Sequence, residues 1–313
     1  MDTLRGLSIP LAATALGLEA VSLLSYSVMT LLVFGASVPF LTLLRIDLTT
    51  TGLSHAVPAG GATAAVLRMR LLQRTGLPRS DVLAGATVQA TAANVVLGGV
   101  FVTGVALLLA GGVDASSYFV GAAVVIGVAL FALASGWLLL RRGSAMANWV
   151  SMRGRRSRVL RGRKPDRLIR ALSTRLADMV EHPSRPGRVL GCAALNCLLD
   201  ASVLWVMLAA TGQRLELGPI LVVYGLGNIL AIVPLTPGGL SIVEGVMIPA
   251  LIGFDVPSAA ALIGVLGWRL WQFWLPIPVA GLCYLSLRVE DLVRDRRRRR
   301  SRTESADEPR PRS

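Results

Sequence analysis

The sequence predicts an all-α, polytopic membrane protein, with about five full spans plus two re-entrant half-helix hairpins in a candidate inverted repeat. Three observations carry this. Of 313 residues, 53% are hydrophobic and only 16% are charged, where a soluble domain carries about 25% charge. The apolar residues form long unbroken blocks, giving a mean hydropathy of +0.63, which excludes a soluble enzyme as the default. The net charge of +14 is also segregated, since segments 68–79, 141–188 and 288–313 hold 28 of the 32 basic residues. A chain this basic could bind nucleic acid. Basic stretches alternating with almost uncharged apolar blocks instead follow the positive-inside pattern, so no nucleic-acid partner is expected.

The elements follow in order from the thickness of the bilayer. A span needs about 20 apolar residues, because the hydrocarbon core is about 30 Å thick and a helix rises about 1.5 Å per residue. Blocks 9–34, 82–111, 118–140, 189–210 and 258–287 meet that requirement. The first is too long for a signal h-region and no clear cleavage site follows it, so it reads as an uncleaved span. Two further apolar regions are cut. Region 38–72 is interrupted at Val57-Pro58-Ala59-Gly60-Gly61, and region 218–254 at Pro234-Leu235-Thr236-Pro237-Gly238-Gly239. Proline removes a backbone donor, and unpaired backbone groups at membrane depth are tolerated only inside protein or along a wet cavity. Each region therefore reads as two half-helices meeting at a turn.

The two breaks echo each other. Pro58 precedes Gly76 by 18 residues and Pro237 precedes Gly253 by 16, each glycine leading into a loop and a full span. Broken helices at corresponding places in two halves point to a transporter site near the midplane. The turn residues Pro58, Gly60, Gly61, Pro237, Gly238 and Gly239 are therefore candidates for that site. The organisation expected is a first membrane half (1–140), a basic cytoplasmic linker (141–188), a second membrane half (189–288) and a disordered basic cytoplasmic tail (289–313). In the linker, Leu168, Ile169, Leu172, Leu176, Met179 and Val180 recur at helical spacing among Arg167, Arg170 and Arg175, as in a helix lying on the inner leaflet. With the basic segments inside, the protein is expected in the cell membrane as a multi-pass chain with a cytoplasmic C-terminus. The first hairpin then enters from the cytoplasm and the second from outside.

Ionisable residues inside a bilayer cost about 2.5–3.5 kcal/mol each on the insertion scale, so each demands a reason. Glu19, Asp200, Glu244 and Arg269 qualify, with Arg45, Asp47 and His55 ahead of the first break. Glu244 follows the Pro-Gly-Gly turn by five residues, and Arg269 falls near the middle of its span. The two could form a buried ion pair, or Arg269 could hold an anionic headgroup, since its planar fork suits phosphate. Asn196 and Asp200 are four apart on one helix face, either lining a polar groove or bonding a neighbouring helix. Trp268, Trp271 and Trp274 are too spread along one span to sit together in an interface belt, so some pack inside. Cys192, Cys197 and Cys283 form no CxxC pair and read as packing thiols; no metal and no cofactor are expected. No nucleophile–base pairing and no nucleotide-binding motif appear, so the chain is expected not to be an enzyme.

Beyond these readings, the run Tyr224-Gly225, Asn228, Pro234-Leu235-Thr236-Pro237-Gly238-Gly239-Leu240, Glu244, Ala259-Ala260 and Trp268-Arg269 through Phe273-Trp274-Leu275-Pro276 resembles one family. It is similar to the flippase-like membrane domain of the lysylphosphatidylglycerol synthase family. Ser54-His55-Ala56-Val57-Pro58-Ala59-Gly60-Gly61 with Leu67-Arg68 resembles that family's first-half motif, and Asn196 and Asp200 match a pattern of its high-GC Gram-positive members. The resemblance covers about residues 10–288. It implies an inner-membrane protein that moves a modified phospholipid between leaflets. The chain ends soon after its last span, so the aminoacyl-transferase domain of full-length synthases, and lysine transfer with it, is not expected. Many relatives carry an acidic residue after the first turn, where this chain has Ala62-Thr63-Ala64-Ala65. The expected function is translocation of a phospholipid or lipid-linked sugar, with Glu244 and Arg269 as principal contacts and Asn196 and Asp200 as secondary ones. The alternative is a non-transporting scaffold or regulator of envelope-lipid enzymes. Membrane lipids are the expected partners, with a lipid-modifying enzyme or a second copy of the chain as further candidates.

Overall fold

A computed structural model describes residues 9–35, 38–57, 60–111, 184–231 and 239–306. The expected span 118–140, the amphipathic stretch of the linker and the turn residues Pro58, Pro237 and Gly238 lie outside the described residues. Within them the chain is helical, with no strand. Helix α1 (Ile9–Phe34) is followed by the half-helices α2 (Phe40–Ala56) and α3 (Gly60–Arg74) and by the long α4 (Arg79–Ala110). After the linker come α5 (Ser184–Ala209), the half-helices α6 (Leu217–Ala231) and α7 (Ile242–Gly253), then α8 (Ser258–Arg269), a π turn (Leu270–Trp274) and α9 (Pro276–Ala306). Four stretches are long and apolar enough to cross a membrane: Pro10–Phe34, Arg79–Ala110, Pro186–Ala209 and Ser258–Glu290. The two cut regions appear as the half-helix pairs α2–α3 and α6–α7.

Each half thus reads full helix, half-helix, half-helix, full helix, and backbone conformation supports the correspondence. Gly76 has a φ of 96° two residues before Pro78, which opens α4; Asp255 has a φ of 61° two residues before Pro257, which opens α8. Glycine and, less readily, aspartate accept this left-handed conformation. The structural partner of Gly76 is therefore Asp255 rather than Gly253. With that pairing, adding 179 to Pro58, Gly76 and Pro78 lands on Pro237, Asp255 and Pro257, and both break-to-joint spacings become 18 residues.

Packing obeys the same relation. The first helices α1 and α5 lie along each other, α4 lies on α6, and α9 lies on α2. The last helix of each half thus covers the first half-helix of the other, as a two-fold axis between the halves requires. Two glycines separated by the same 179 residues mark close approaches. A Cβ at Gly85 would run into the Phe34 ring at the end of α1, and one at Gly264 would run into Leu208 near the end of α5. The interior has two main apolar clusters. One in the second half includes Leu204, Leu208, Met247 and Trp268; one in the first half includes Met29, Leu43, Leu72 and Val82. Leu16, Leu24, Trp205, Leu266, Leu282 and Leu285 are instead exposed, a surface suited to lipid as solvent.

Two details depart from the sequence expectation. The block 258–287 is not one uninterrupted α-helix. Pro276 has no N–H to give the carbonyl of Gln272, and the preceding turn widens so that Leu275 N–H donates to Leu270 O at 3.0 Å, five residues back. Helix α9 also continues to Ala306, past residue 289 where the tail was expected to begin. Arginine is a good helix former, and the arginine run extends the helix rather than ending it.

Candidate functional site

A buried ion pair of the second half is built beside the π turn. Arg269 ends α8, about 17 Å along the helix from Ser258 at about 1.5 Å per residue, inside the apolar stretch Ser258–Glu290. Glu244 lies in the first turn of α7. The Arg269 Nε stands 2.8 Å from Glu244 Oε1, with the two side chains only 4% and 16% exposed. The Arg269 Nη atoms donate longer bonds, at 3.4 Å each, to Gly239 O in the second hairpin's turn and to Gln272 Oε1 in the π turn. Its guanidinium carbon lies 5.2 Å from the Trp268 ring centroid and 5.3 Å from that of Phe273, within cation–π range. Arginine at this point therefore binds three pieces of chain, the hairpin turn, α7 and the π turn.

The first hairpin reaches the same place. His55, in the last turn of α2, stacks on Phe273 with ring centroids 4.6 Å apart. Its Nδ1 is 3.2 Å from Phe273 O, so the Nδ1–H tautomer donates there. Phe273 thus touches the imidazole of one hairpin and the guanidinium held by the other. The glycines that close the two turns are tightly packed. A Cβ on Gly60 would collide with the Ser54 backbone, and Gly239, with a φ of 72°, is closed in by Val243 and Ala231. Gly61 is exposed, with open space beside it.

The family described as lysylphosphatidylglycerol synthase TM region matches residues 1–280. The chain belongs to that family. No curated protein matches it significantly. Membership makes this a membrane domain linked to lipid handling, and Trp268, Arg269 and Phe273 of the matched stretch are gathered at the π turn.

Within this lysylphosphatidylglycerol synthase TM region, Asn196 and Asp200 do not join that cluster directly. The Asn196 amide donates to Ser22 O at 3.0 Å and to Ser22 Oγ at 2.8 Å, while Ser22 Oγ donates back to Asn196 O at 3.0 Å. This clasps α1 to α5. Asp200 accepts from Tyr224 Oη at 2.9 Å and from Trp268 Nε1 at 2.7 Å, fixing the indole against which Arg269 lies. Glu19 is buried, and its Oε2 has no hydrogen-bond partner. Among the described residues, no group of three metal-ligating side chains gathers, and the cysteines are free.

A second polar centre lies in the first half and was only half visible in the sequence. Arg68, which had counted among the basic residues of segment 68–79, is turned inward. Its Nη2, with two hydrogens to share, lies 2.8 Å from Asp47 Oδ1 and Gln89 Oε1 and 3.0 Å from Thr30 Oγ1; its Nη1 donates to Tyr26 Oη at 3.2 Å. The Asp47 side chain is 2% exposed and that of Arg68 14%. The available signal was helical phase, since Arg68 shares a stripe with the buried Ala64, Leu71 and Leu72, whereas Arg70 and Arg74 lie off it and are exposed.

Proposed function

We propose that the protein moves a phospholipid or lipid-linked sugar between leaflets, passing the headgroup between the two hairpin tips at the π turn. The observation supporting this most is the buried Arg269–Glu244 pair at 2.8 Å, placed where His55 of the first hairpin and Gly239 of the second both reach. A buried ion pair is a poor way to gain stability, because apolar residues of similar volume often serve as well or better. Its burial within an apolar stretch favours a functional role. The guanidinium fork can exchange a carboxylate for a headgroup phosphate, and the released Glu244 then pairs with a headgroup amine or accepts from headgroup hydroxyls. Asp200 supports the site through Trp268, and Asn196 holds α1 against α5. The reaction is transfer across the membrane, with no covalent step. We propose the cell membrane as the location, with the arginine-rich segments and the C-terminus on the cytoplasmic side.

The test uses the purified chain in vesicles holding a fluorescent phospholipid, with dithionite bleaching the outer leaflet. Leaflet exchange is expected from the native chain and is expected to fall to background in Glu244→Gln and Arg269→Ala. Unaltered exchange in both variants would overturn the site. No exchange from the native chain, together with a stable partner in mild detergent, would favour the scaffold reading instead.

A further inference from the structure

The Arg68 centre opens on a cavity of about 280 Å³ lined by Tyr26, Thr50, Thr51, Ser54, Gly61 and Arg68, among others. We infer that this cavity is a second binding station for the phosphate of an anionic phospholipid headgroup, in the half of the molecule opposite the Arg269–Glu244 pair. The inference rests on the translocase reading above and adds a site to it.

The chemistry of the lining favours a phosphate ester. Arg68 is the charged residue in the lining, and its side chain keeps 14% of its surface exposed. Tyr26 Oη accepts from Arg68, which leaves the phenol hydrogen to donate. Ser54 and Thr51 add hydroxyls to the wall beside the turn glycine Gly61, whose missing side chain keeps that wall open. Arginine forks and hydroxyl donors are the groups that bind phosphate oxygens best. The volume lies at the lower edge of the range for ligand cavities, about 300–1,000 Å³, so it suits a headgroup rather than a whole lipid. Gln89, Thr30 and Asp47 hold the guanidinium in one orientation before anything binds, so little ordering remains for the ligand to impose. Asp47 also balances the charge while the cavity is empty, and a bound phosphate would share the guanidinium with it.

Two further observations favour a lipid as the source of the phosphate. Arg70 and Arg74, on the same half-helix, are exposed, and each arginine near a membrane surface draws anionic headgroups by about 1 kcal/mol. The repeat relation also pairs Gln89, which fixes Arg68, with Trp268, which neighbours Arg269, since they differ by 179 positions. Each half therefore presents one arginine beside the equivalent point of its last helix, as two stations for one headgroup require.

The experiment uses the full chain with Cys192, Cys197 and Cys283 replaced by serine and with Ala86→Cys as a reporter in the cavity wall, at a lining residue that offers the phosphate no bond. The readout is the ratio of maleimide alkylation rates without and with a short-chain probe. Dihexanoyl phosphatidylglycerol is expected to slow alkylation by about tenfold, and dihexanoyl glycerol, which lacks the phosphate, by less than about twofold. Arg68→Gln made together with Asp47→Asn keeps the pair neutral and is expected to abolish the protection. Ala65→Leu, which narrows the cavity without touching the ion pair, is expected to weaken it independently. No protection of the native pair, or unchanged protection in both variants, would overturn the station. Equal protection by inorganic phosphate alone would reassign it to a free anion and overturn the lipid source. Leaflet exchange measured on the same preparations separates the two proposals. Protection without exchange counts against translocation alone, and exchange without protection counts against this station alone.

Discussion

The two hairpins share a backbone plan and differ in where they carry charge. In the first, both members of the ion pair belong to the hairpin, Asp47 on α2 and Arg68 on α3, and α1 and α4 close around them through Tyr26, Thr30 and Gln89. In the second, only Glu244 belongs to the hairpin, and the arginine comes from the following span, which widens into a π turn just beyond it. The repeat therefore preserves the devices that break, joint and pack helices while the charged chemistry moves between elements. For this reason the alanines at 62, 64 and 65 did not mean a first half without an acid. Asp47 supplies the carboxylate from the neighbouring half-helix.

That contrast can be broken experimentally. The largest effect is expected from Arg68→Ala, which strands Asp47 in the interior; removing one member of a buried pair costs about 3–5 kcal/mol. Thermal unfolding in detergent should show it, and pairing the change with Asp47→Asn should recover much of the loss. Full stability of Arg68→Ala would mean that the first centre is solvated, unlike the second.

Next is the contact that seats the first hairpin under α9. A Cβ at Gly52 would overlap the Pro276 carbonyl and Ala280, so Gly52→Leu should cost about 1–3 kcal/mol through overpacking. It should also lower leaflet exchange by pulling His55 away from Phe273. Exchange unchanged by Gly52→Leu would show that the first hairpin tip does not serve the central site. Asn196→Ala removes the α1–α5 clasp common to both halves. Transmembrane hydrogen bonds average about 0.6 kcal/mol and reach about 1.7, and a loss in that range by unfolding, with exchange retained, would confine Asn196 to holding helices. The smallest effect is expected at Gly61→Ala, where the added methyl meets open space. Stability should stay within about 0.5 kcal/mol, whereas Gly60→Ala, driven into the Ser54 backbone, should unfold at markedly lower temperature.

Much of this was legible in the chain itself. Apolar blocks of span length, two proline–glycine cuts and segregated arginines are local or one-dimensional signals, and the described helices follow them closely. Glu244 and Arg269 stood out because a charge in an apolar block is costly wherever the block folds. The joint pairing was misread by two residues because Gly253 looks like the partner of Gly76, whereas the left-handed backbone is taken by Asp255. Arg68 was counted with its topogenic neighbours because a charge near a helix end reads the same whether it snorkels outward or turns in. Only the phase of Ala64, Leu71 and Leu72 separates the cases. The π turn was equally hidden, although Pro276 is its cause.

The sequence by itself determined the solvent, the class of fold and the places where helices must break, because hydrophobic length and missing backbone donors act locally and admit few solutions in a bilayer. It also marked which charges were expensive. Only the tertiary structure decided which of them meet. The swapped packing of α4 on α6 and α9 on α2 brings His55, Gly239, Glu244 and Arg269 to one π turn from residues more than 200 positions apart at the extremes. It also bonds Asn196 to Ser22 and Asp200 to Tyr224 and Trp268. Such meetings depend on the relative placement of helices, and no local property of the chain encodes them.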